Sequence, residues 1–526
     1  MKILISDQLE QSCIDILEHE RFVVHNRPGL PAKELLEIIE GYDGLLVRSS
    51  TKVTSEVIAR ATRLQVIGRA GTGVDNIDVN AATRRGILVM NTPGGNTVSA
   101  AEHTISLMLS LARNIPQAHA SLLRGEWDRK SFTGTEVQEK TVGVVGLGKI
   151  GREVALRCNA LGMHVLGYDP VLSPDVTSKI DIEQVTLEEL FRRSDFITVH
   201  TPLNAQTRGL LNAEAFSRCK KGVRIINCAR GGIVDEQALL GALNDGRVAG
   251  AALDVFEIEP PKGNPLVGHP RVVVTPHLGA STEEAQEKVA VQIAAQVVDA
   301  LQGRAFSGVV NGAAMHLTLK QEVRPGLDLA ERLGSLVVQT APGKLKQLTV
   351  AAAGDMLVQS LELLKAGVLK GILSHTVPEP VNFINAPFLA RELGINVAEE
   401  RNVDPAPYAT ILRVRYETET ETREVAGTVL GPHAVRLVAM DGFSFEVRPE
   451  GYLLIYRNID RPGMLARVGT ILASHGVNIA GVSLGRFRAG ETALTVMNVD
   501  SAVPQAALEE ITSQEGVSSV RLVRLD

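Results

Sequence analysis

One stretch restricts the fold of this 526-residue chain more than any other. The apolar run at 142–145 opens directly into Gly146-Leu147-Gly148-Lys149-Ile150-Gly151, and a helical pattern follows. Three glycines at that spacing mean little alone, but between a strand and a helix they acquire a mechanical reading. Gly146 permits a tight turn, Gly148 lets a pyrophosphate approach the backbone, and Gly151 lets helix and strand pack closely. The helix N-terminus then offers amide hydrogens and a positive dipole end to phosphate oxygens. Eighteen residues beyond Gly151 the next apolar strand ends in Asp169. A carboxylate there accepts ribose hydroxyls and repels a 2′-phosphate, and no Lys or Arg follows closely. The expected cofactor is therefore NAD rather than NADP. The competing reading is a Rossmann turn that holds no ligand.

The same alternation runs through the first 310 residues, from "KILISD" and "GLLVRSS" through "FITVHTP" and "VRIINCARG" to "VVVTPH". Short apolar strands separated by helix-like segments mean βαβ units and parallel sheets covered on both faces. Nearly every strand ends in a polar or glycine-rich tip: Asp7, Arg48, Arg69, Asn91, Gly146, Asp169, His200, Asn227, Asp254 and His277. Ligands of open α/β sheets bind outside the carboxyl ends of the strands, so this run of tips predicts a cleft. Ser99-x-x-Glu102 reads as a capping box that opens a long helix joining two subdomains. The polar stretch 123–140, with the lone Trp127, is too long for an ordinary loop and reads as an arm at a subunit interface.

Composition excludes several other classes. A net charge of −6 without a polybasic run argues against a nucleic-acid partner, and aromatic residues at 4% are too few for a base-stacking platform. Cys13, Cys158, Cys219 and Cys228 lack metal-ligand spacing, so no metal site and no disulfide framework is expected. The N-terminus lacks the pattern of a signal peptide, and no apolar run is long enough to span a membrane. The expected location is a reducing compartment, the cytoplasm.

The pattern changes after residue 312. Segments such as "LTLKQEVRPGLDLAERLGSLV" and "QSLELLKAGVLKGILS" read as amphipathic helices, whereas "ATILRVRYETETETREVAGTVL" and "AVRLVAMDGFSFEV" alternate like antiparallel strands. The last 75 residues read β-α-β-β-α-β, the ferredoxin-like order. The expected architecture is two Rossmann-like parallel-sheet domains, then an α+β domain, then a ferredoxin-like domain. The expected boundaries are 1–97 with 284–312, then 98–283, 313–450 and 451–526.

Hydride transfer with a nicotinamide needs an acid–base group, a substrate anchor and a group that tunes the acid–base. "INCARGGIVDE" offers Arg230, "AALDVFEIEPP" offers Asp254 and Glu259, and "VTPHLGAST" offers His277. Each has a plainer reading. His277 can be structural, Arg230 can pair with Asp235, and Glu259 can be a solvated turn acid.

Taken together, "GLGKIG", "NCARGGIVDE", "GAALDVFEIEPP" and "TPHLGAST" resemble the signatures of the NAD-dependent D-2-hydroxyacid dehydrogenases. The tail resembles that of the family's long forms, which add an intervening domain and a C-terminal ACT domain. The resemblance implies NAD-dependent oxidation of D-3-phosphoglycerate to 3-phosphohydroxypyruvate, the first step of L-serine biosynthesis, by a homotetramer. It makes His277 the acid–base, Glu259 its hydrogen-bonding partner and Arg230 the clamp on the substrate carboxylate. Asp254 then holds the nicotinamide carboxamide, and Thr72, Lys149, Ile150, Thr201, Cys228, Ala229 and Ala280 complete the NAD site. Arg48 and Arg69 supply cations for a phosphate, the backbone of Gly73 and Val74 receives the carboxylate, and Arg129 and Lys130 can add charge from a neighbouring subunit. "RNIDRPGMLARVGTILASHGVNI" resembles an ACT module, and the family's serine site falls on Asn458, Asp460 and Asn478. Some relatives carry histidine at the first of these positions. Alternatives remain: a hydroxypyruvate or glyoxylate reductase, a 2-hydroxyglutarate dehydrogenase, or a non-catalytic, NAD-sensing corepressor-like protein.

Overall fold

The computed structural model describes residues 1–172, 181–431 and 434–525. Strands Lys2–Ile5, Val23–Asn26, Gly44–Val47, Val66–Arg69 and Leu88–Asn91 form a wholly parallel sheet, ordered second, first, third, fourth, fifth. The edge strand Val23–Asn26 has no apolar run to announce it, because most of it faces solvent. Helix Glu283–Leu301, capped by Thr282, returns to this sheet from far along the chain. Its Ile293 and Val297 press on Gly68, where an added Cβ would lie 2.9 and 2.8 Å from their side chains. The close approach buries Val289, Ile293 and Val297 against Ile3, Leu46 and Val66.

The second sheet is also wholly parallel. It contains Thr141–Val145, His164–Tyr168, Glu183–Gln184, Phe196–Val199, Val223–Asn227, Val248–Leu253 and Val272–Val274. Its spatial order runs third, second, first, then fourth to seventh, so the direction reverses beside Thr141–Val145. The glycine loop therefore lies at the switch point, where α/β sheets bind ligands. All ten strands expected in the first 310 residues are present, and Val23–Asn26 and Glu183–Gln184 are two additional ones.

Helix Thr97–Ala112 connects the two sheets, and it corrects one expectation. Its N-cap is Asn96, so Ser99 lies inside the helix and is not a cap. The helix starts earlier than the box pattern requires, and the buried Ser99 hydroxyl instead donates to the Gly279 carbonyl at 3.0 Å.

The third sheet is mixed. In spatial order it contains Asn396–Arg401, Leu345–Ala353, Ile411–Thr418, Thr422–Leu430, Ala434–Met440 and Phe443–Val447. Helices Arg324–Thr340 and Leu361–Leu373 cross close to each other. An added Cβ on Gly334 would lie 2.0 Å from the Val368 carbonyl, and one on Gly371 would lie 2.0 Å from the Glu331 carbonyl. Helix Leu361–Leu373 reads as amphipathic in the sequence, yet it is buried on nearly every side, because neighbouring elements cover it. The loop before helix Ala386–Glu392 docks on the first domain: Asn382 Nδ2 donates to the Gly86 carbonyl at 2.8 Å.

The C-terminal unit has the expected β-α-β-β-α-β order and an antiparallel sheet. Period-two alternation in strand Gly451–Ile459 divides its side chains between two cores. Leu454 and Tyr456 face the unit's own helices, whereas Leu453 and Ile455 enter the core of the preceding domain. Among the described residues, no helix is long and apolar enough to cross a membrane.

Candidate active site

The carboxyl ends of the two parallel sheets face each other. Gly146 has φ +92°, the conformation that its turn requires, and an added Cβ on Gly151 would lie 1.9 Å from the Gly146 carbonyl. A Cβ on Gly148 would meet open space, so the backbone there is accessible. Gly148 is the N-cap of helix Lys149–Ala160. Asp169 accepts from the Leu147 amide at 2.9 Å and from the Val171 amide at 2.9 Å, which fixes its carboxylate beside the glycine loop. Thr201 Oγ1 is buried without a hydrogen-bond partner among the described residues. An unpaired buried hydroxyl beside this loop fits a ligand that supplies the missing partner. Lys149 reaches across the cleft, its Nζ donating to the Pro93 carbonyl at 3.1 Å. Thr72 Oγ1 donates to Asn96 Oδ1 at 2.7 Å, tying the first sheet to the start of the connecting helix.

His277 Nδ1 lies 2.8 Å from Glu259 Oε2. The contact leaves the other imidazole nitrogen free. His277 has φ +56°, a left-handed conformation that turns its ring out of the loop following strand Val272–Val274. Burial pushes the Glu259 carboxyl up, but the hydrogen bond and charge of His277, with the Phe256 amide, hold it below its ordinary value. Glu259 is therefore no free turn acid.

Arg230 does not pair with Asp235, which instead caps helix Glu236–Asn244 by accepting from the Ala238 amide. Its Nε donates to Asp75 Oδ2 at 2.7 Å, across to the first domain. The guanidinium lies against Gly73, where an added Cβ would be 1.7 Å from Nη2. Val74 follows in the same loop. Arg48 and Arg69 come to this place from neighbouring strand ends. Arg69 donates to Asn76 Oδ1 at 2.9 Å, and Asn76 in turn donates to the Arg48 carbonyl at 2.7 Å. Burial, and then the charges of Arg230 and Arg48, push Arg69 down to about 10, with Asp75 and Asp7 partly offsetting them. The cleft thus gathers three arginines whose mutual repulsion an anion would relieve. Arg129 and Lys130 are exposed on the arm, as is Trp127.

Asp254 is 1% exposed and engaged on both oxygens. Oδ1 accepts from Thr275 Oγ1 at 2.6 Å and from the Leu278 amide at 2.7 Å, and Oδ2 accepts from the Gly279 amide at 2.9 Å. The resemblance assigns it to the nicotinamide, and the structure adds that it braces the His277 loop, with Ala280 next in line. Cys228 and Ala229 precede Arg230, and burial pushes the Cys228 thiol up to about 12, so it is no nucleophile. The sequence gives Asn227 no role beyond a strand tip. In the fold it shapes the Arg230 loop by donating to the Arg230 carbonyl at 2.9 Å and accepting from the Ala229 amide at 3.0 Å.

Three family models match this chain. The NAD binding domain of D-isomer specific 2-hydroxyacid dehydrogenases matches 105–279, the D-3-phosphoglycerate dehydrogenase intervening domain matches 322–441, and the ACT domain matches 452–516. The D-3-phosphoglycerate dehydrogenase of Methanocaldococcus jannaschii is 42% identical over 526 residues, covering 100% of both chains. The chain belongs to the D-3-phosphoglycerate dehydrogenase family. The human D-3-phosphoglycerate dehydrogenase is 44% identical over 513 residues, covering 96% of both. Among solved structures, a Thermus thermophilus protein aligns at TM-score 0.55 and 36% identity, over 59% of this chain and 100% of that one. A glyoxylate reductase from Paecilomyes thermophila aligns at 0.55 and 29%, over 59% of this chain and 98% of that one. The nucleotide cofactor of this family domain is NAD.

Within one ACT unit, Asn478 lies apart from Asn458 and Asp460. Asn458 pairs with Ala493 at one end of the sheet, whereas Asn478 precedes Ile479, which pairs with Val499 at the other. Asn458 is buried, with Oδ1 unpartnered. Asp460 accepts from Arg486 at 2.6 Å, and Asn478 donates to Asp500 at 2.7 Å.

Proposed function

We propose that this chain oxidises the C2 alcohol of D-3-phosphoglycerate to 3-phosphohydroxypyruvate with NAD, the first step of L-serine biosynthesis. NAD, held by the glycine loop and Asp169, would supply the hydride acceptor for C2. His277 receives the hydroxyl proton on the imidazole nitrogen that Glu259 leaves free, and the Glu259 carboxylate stabilises the imidazolium. Arg230 clamps the substrate carboxylate, aided by the backbone of Gly73 and Val74, and polarises the C2 oxygen. Arg48 and Arg69 receive the phosphate. Thr72, Lys149, Ile150, Thr201, Cys228, Ala229 and Ala280 line the NAD site with the glycine loop, and Asp169 selects the ribose hydroxyls. On this reading residues 1–97 and 284–312 bind substrate, 98–283 bind NAD, 313–450 intervene and 451–526 regulate.

The observation that carries the substrate assignment is the arginine trio: Arg230 suffices for the one carboxylate of lactate or glycerate, which leaves Arg48 and Arg69 for a second anionic group. The decisive experiment is NAD reduction with D-3-phosphoglycerate, 2-hydroxyglutarate, glycerate and lactate. D-3-Phosphoglycerate is expected to be the best substrate, and Arg69→Ala is expected to raise its KM by about tenfold or more with little change for NAD. Turnover on glycerate but not on phosphoglycerate would sink the assignment.

Four copies in the cytoplasm complete the proposal, with the exposed Leu123 and Trp127 of the arm and Leu122 just before it as contact surface. L-Serine as effector fits a pair of ACT units better than one unit, since Asn458 and Asn478 lie at opposite ends of a single sheet. Added serine should then slow the full chain, and a rate unchanged at millimolar serine would remove that part.

A further inference from the structure

One titratable side chain in the cleft has no place in the reaction just described. His103 lies four residues after Ser99, on the same face of the connecting helix. Its Nε2 is 3.1 Å from Asp254 Oδ1 and 3.1 Å from Thr275 Oγ1. The ring is largely enclosed, with 19% of the side chain exposed.

The proton inventory settles which nitrogen carries hydrogen. Thr275 has one hydroxyl proton, and at 2.6 Å it is directed to Asp254 Oδ1. Both oxygens facing His103 Nε2 can therefore only accept, so Nε2 donates whatever the charge of the ring. Asp254 gathers His103, Thr275 and the amides of Leu278 and Gly279. Burial pushes its carboxyl up, but these donors, His103 foremost, hold it below its ordinary value. Thr275 and Leu278 flank His277 at close range, and the His277 amide donates to the Asp254 carbonyl at 2.9 Å. Ser99 makes a second tie from the same helix to Gly279.

We propose that His103 is a positioning residue: it locks Asp254, and through Asp254 the His277 loop, to the helix that joins the two sheets. The proposal rests on the reaction above for its kinetic consequences but not for its binding consequences. An unlocked Asp254 holds the cofactor less well, and an unlocked loop loosens the His277–Glu259 contact. Leucine at 103 fills the volume without a donor, and glutamine places an amide hydrogen close to where Nε2–H lies.

The test uses the full-length chain as wild type, His103→Leu, His103→Gln and Thr275→Val, the last removing the other side-chain donor should leucine impair folding. NAD is titrated calorimetrically without substrate, and kcat, both KM values and the acid limb of the kcat/KM profile are measured. His103→Leu should weaken NAD about tenfold, lower kcat about tenfold and displace the acid limb, while Gln should restore most of each. Thr275→Val should reproduce the pattern more weakly. If Leu matches wild type in NAD affinity and acid limb, or if Gln is as impaired as Leu, the proposal is wrong. A wild-type chain that binds NAD but turns over none of the acids sinks the reaction instead, and the NAD titrations still judge His103.

Discussion

The two halves of this molecule bury their strands in different ways, and the difference decides what each can do. In the first half the central parallel strands are buried along most of their lengths and chemically distinctive at their carboxyl ends. Gly44–Val47 and Phe196–Val199 are buried at every position, and Arg48 and His200 follow immediately. Packing and chemistry are thus separated along the chain by a single residue. In the second half the sheets put both faces to structural use. Strand Gly451–Ile459 sends Leu453 and Ile455 into one core and Leu454 and Tyr456 into another. Such a strand joins two domains mechanically and leaves few side chains free for chemistry.

The sharpest test of this contrast is a pair of truncations. His277→Ala removes the acid–base group from an exposed strand end. Turnover should fall by about a hundred- to ten-thousandfold, with NAD affinity and thermal midpoint close to wild type. A fully active variant would make His277 structural and end the parallel between strand tips and function. Ile455→Ala removes a side chain only 4% exposed from the shared core. Stability to denaturant should fall by about 2–5 kcal/mol, while kcat per folded molecule stays near wild type. If Ile455→Ala instead lowered kcat without destabilising the chain, the second half would be acting on the cleft directly. Its dock at Asn382 on the Gly86 carbonyl would then be the first contact to examine.

The same contrast explains what can be read from the sequence. The parallel strands and the glycine loop are legible because apolar runs and the residues that end them are local in sequence, whereas the Glu259–His277 pair is legible only through the resemblance of its motifs to a known family. Strands Val23–Asn26 and Asn396–Arg401 are not legible, because edge positions are exposed and need no apolar pattern. Helix Leu361–Leu373 misleads as an amphipathic pattern because its burial depends on Gly334 and Gly371, which let a second helix approach. Ser99 misleads as a cap because its real partner, Gly279, is 180 residues away. Asp75, Asn76 and His103 escape for the same reason, since each matters only through partners that the fold supplies.

Two histidines at strand ends of one sheet give the finest form of the comparison. The sequence puts His200 and His277 in the same series of tips, and only the "TPHLGAST" motif around His277 separates them. In the fold, His277 is 44% exposed by side chain and faces a carboxylate. His200 is partly buried, its Nε2 2.9 Å from Thr198 Oγ1 and its amide donating to the Val145 carbonyl at 2.7 Å. Burial pushes its imidazole from 6.5 down to about 4. The unfolded chain therefore takes up a proton at His200 below about 6.5, whereas the folded chain resists until about 4. The stability gained by keeping this ring neutral is complete above the ordinary histidine value and is lost as the pH falls from there through about 4. The lowered carboxyls of Asp254 and Glu259 act with the same sign, but their contribution is lost only below the ordinary carboxylate range. Urea midpoints measured between those two histidine values should fall with pH in the wild type and fall less steeply in His200→Asn. Parallel slopes would mean that His200 is as solvated as His277, and burial would no longer separate the two strand ends.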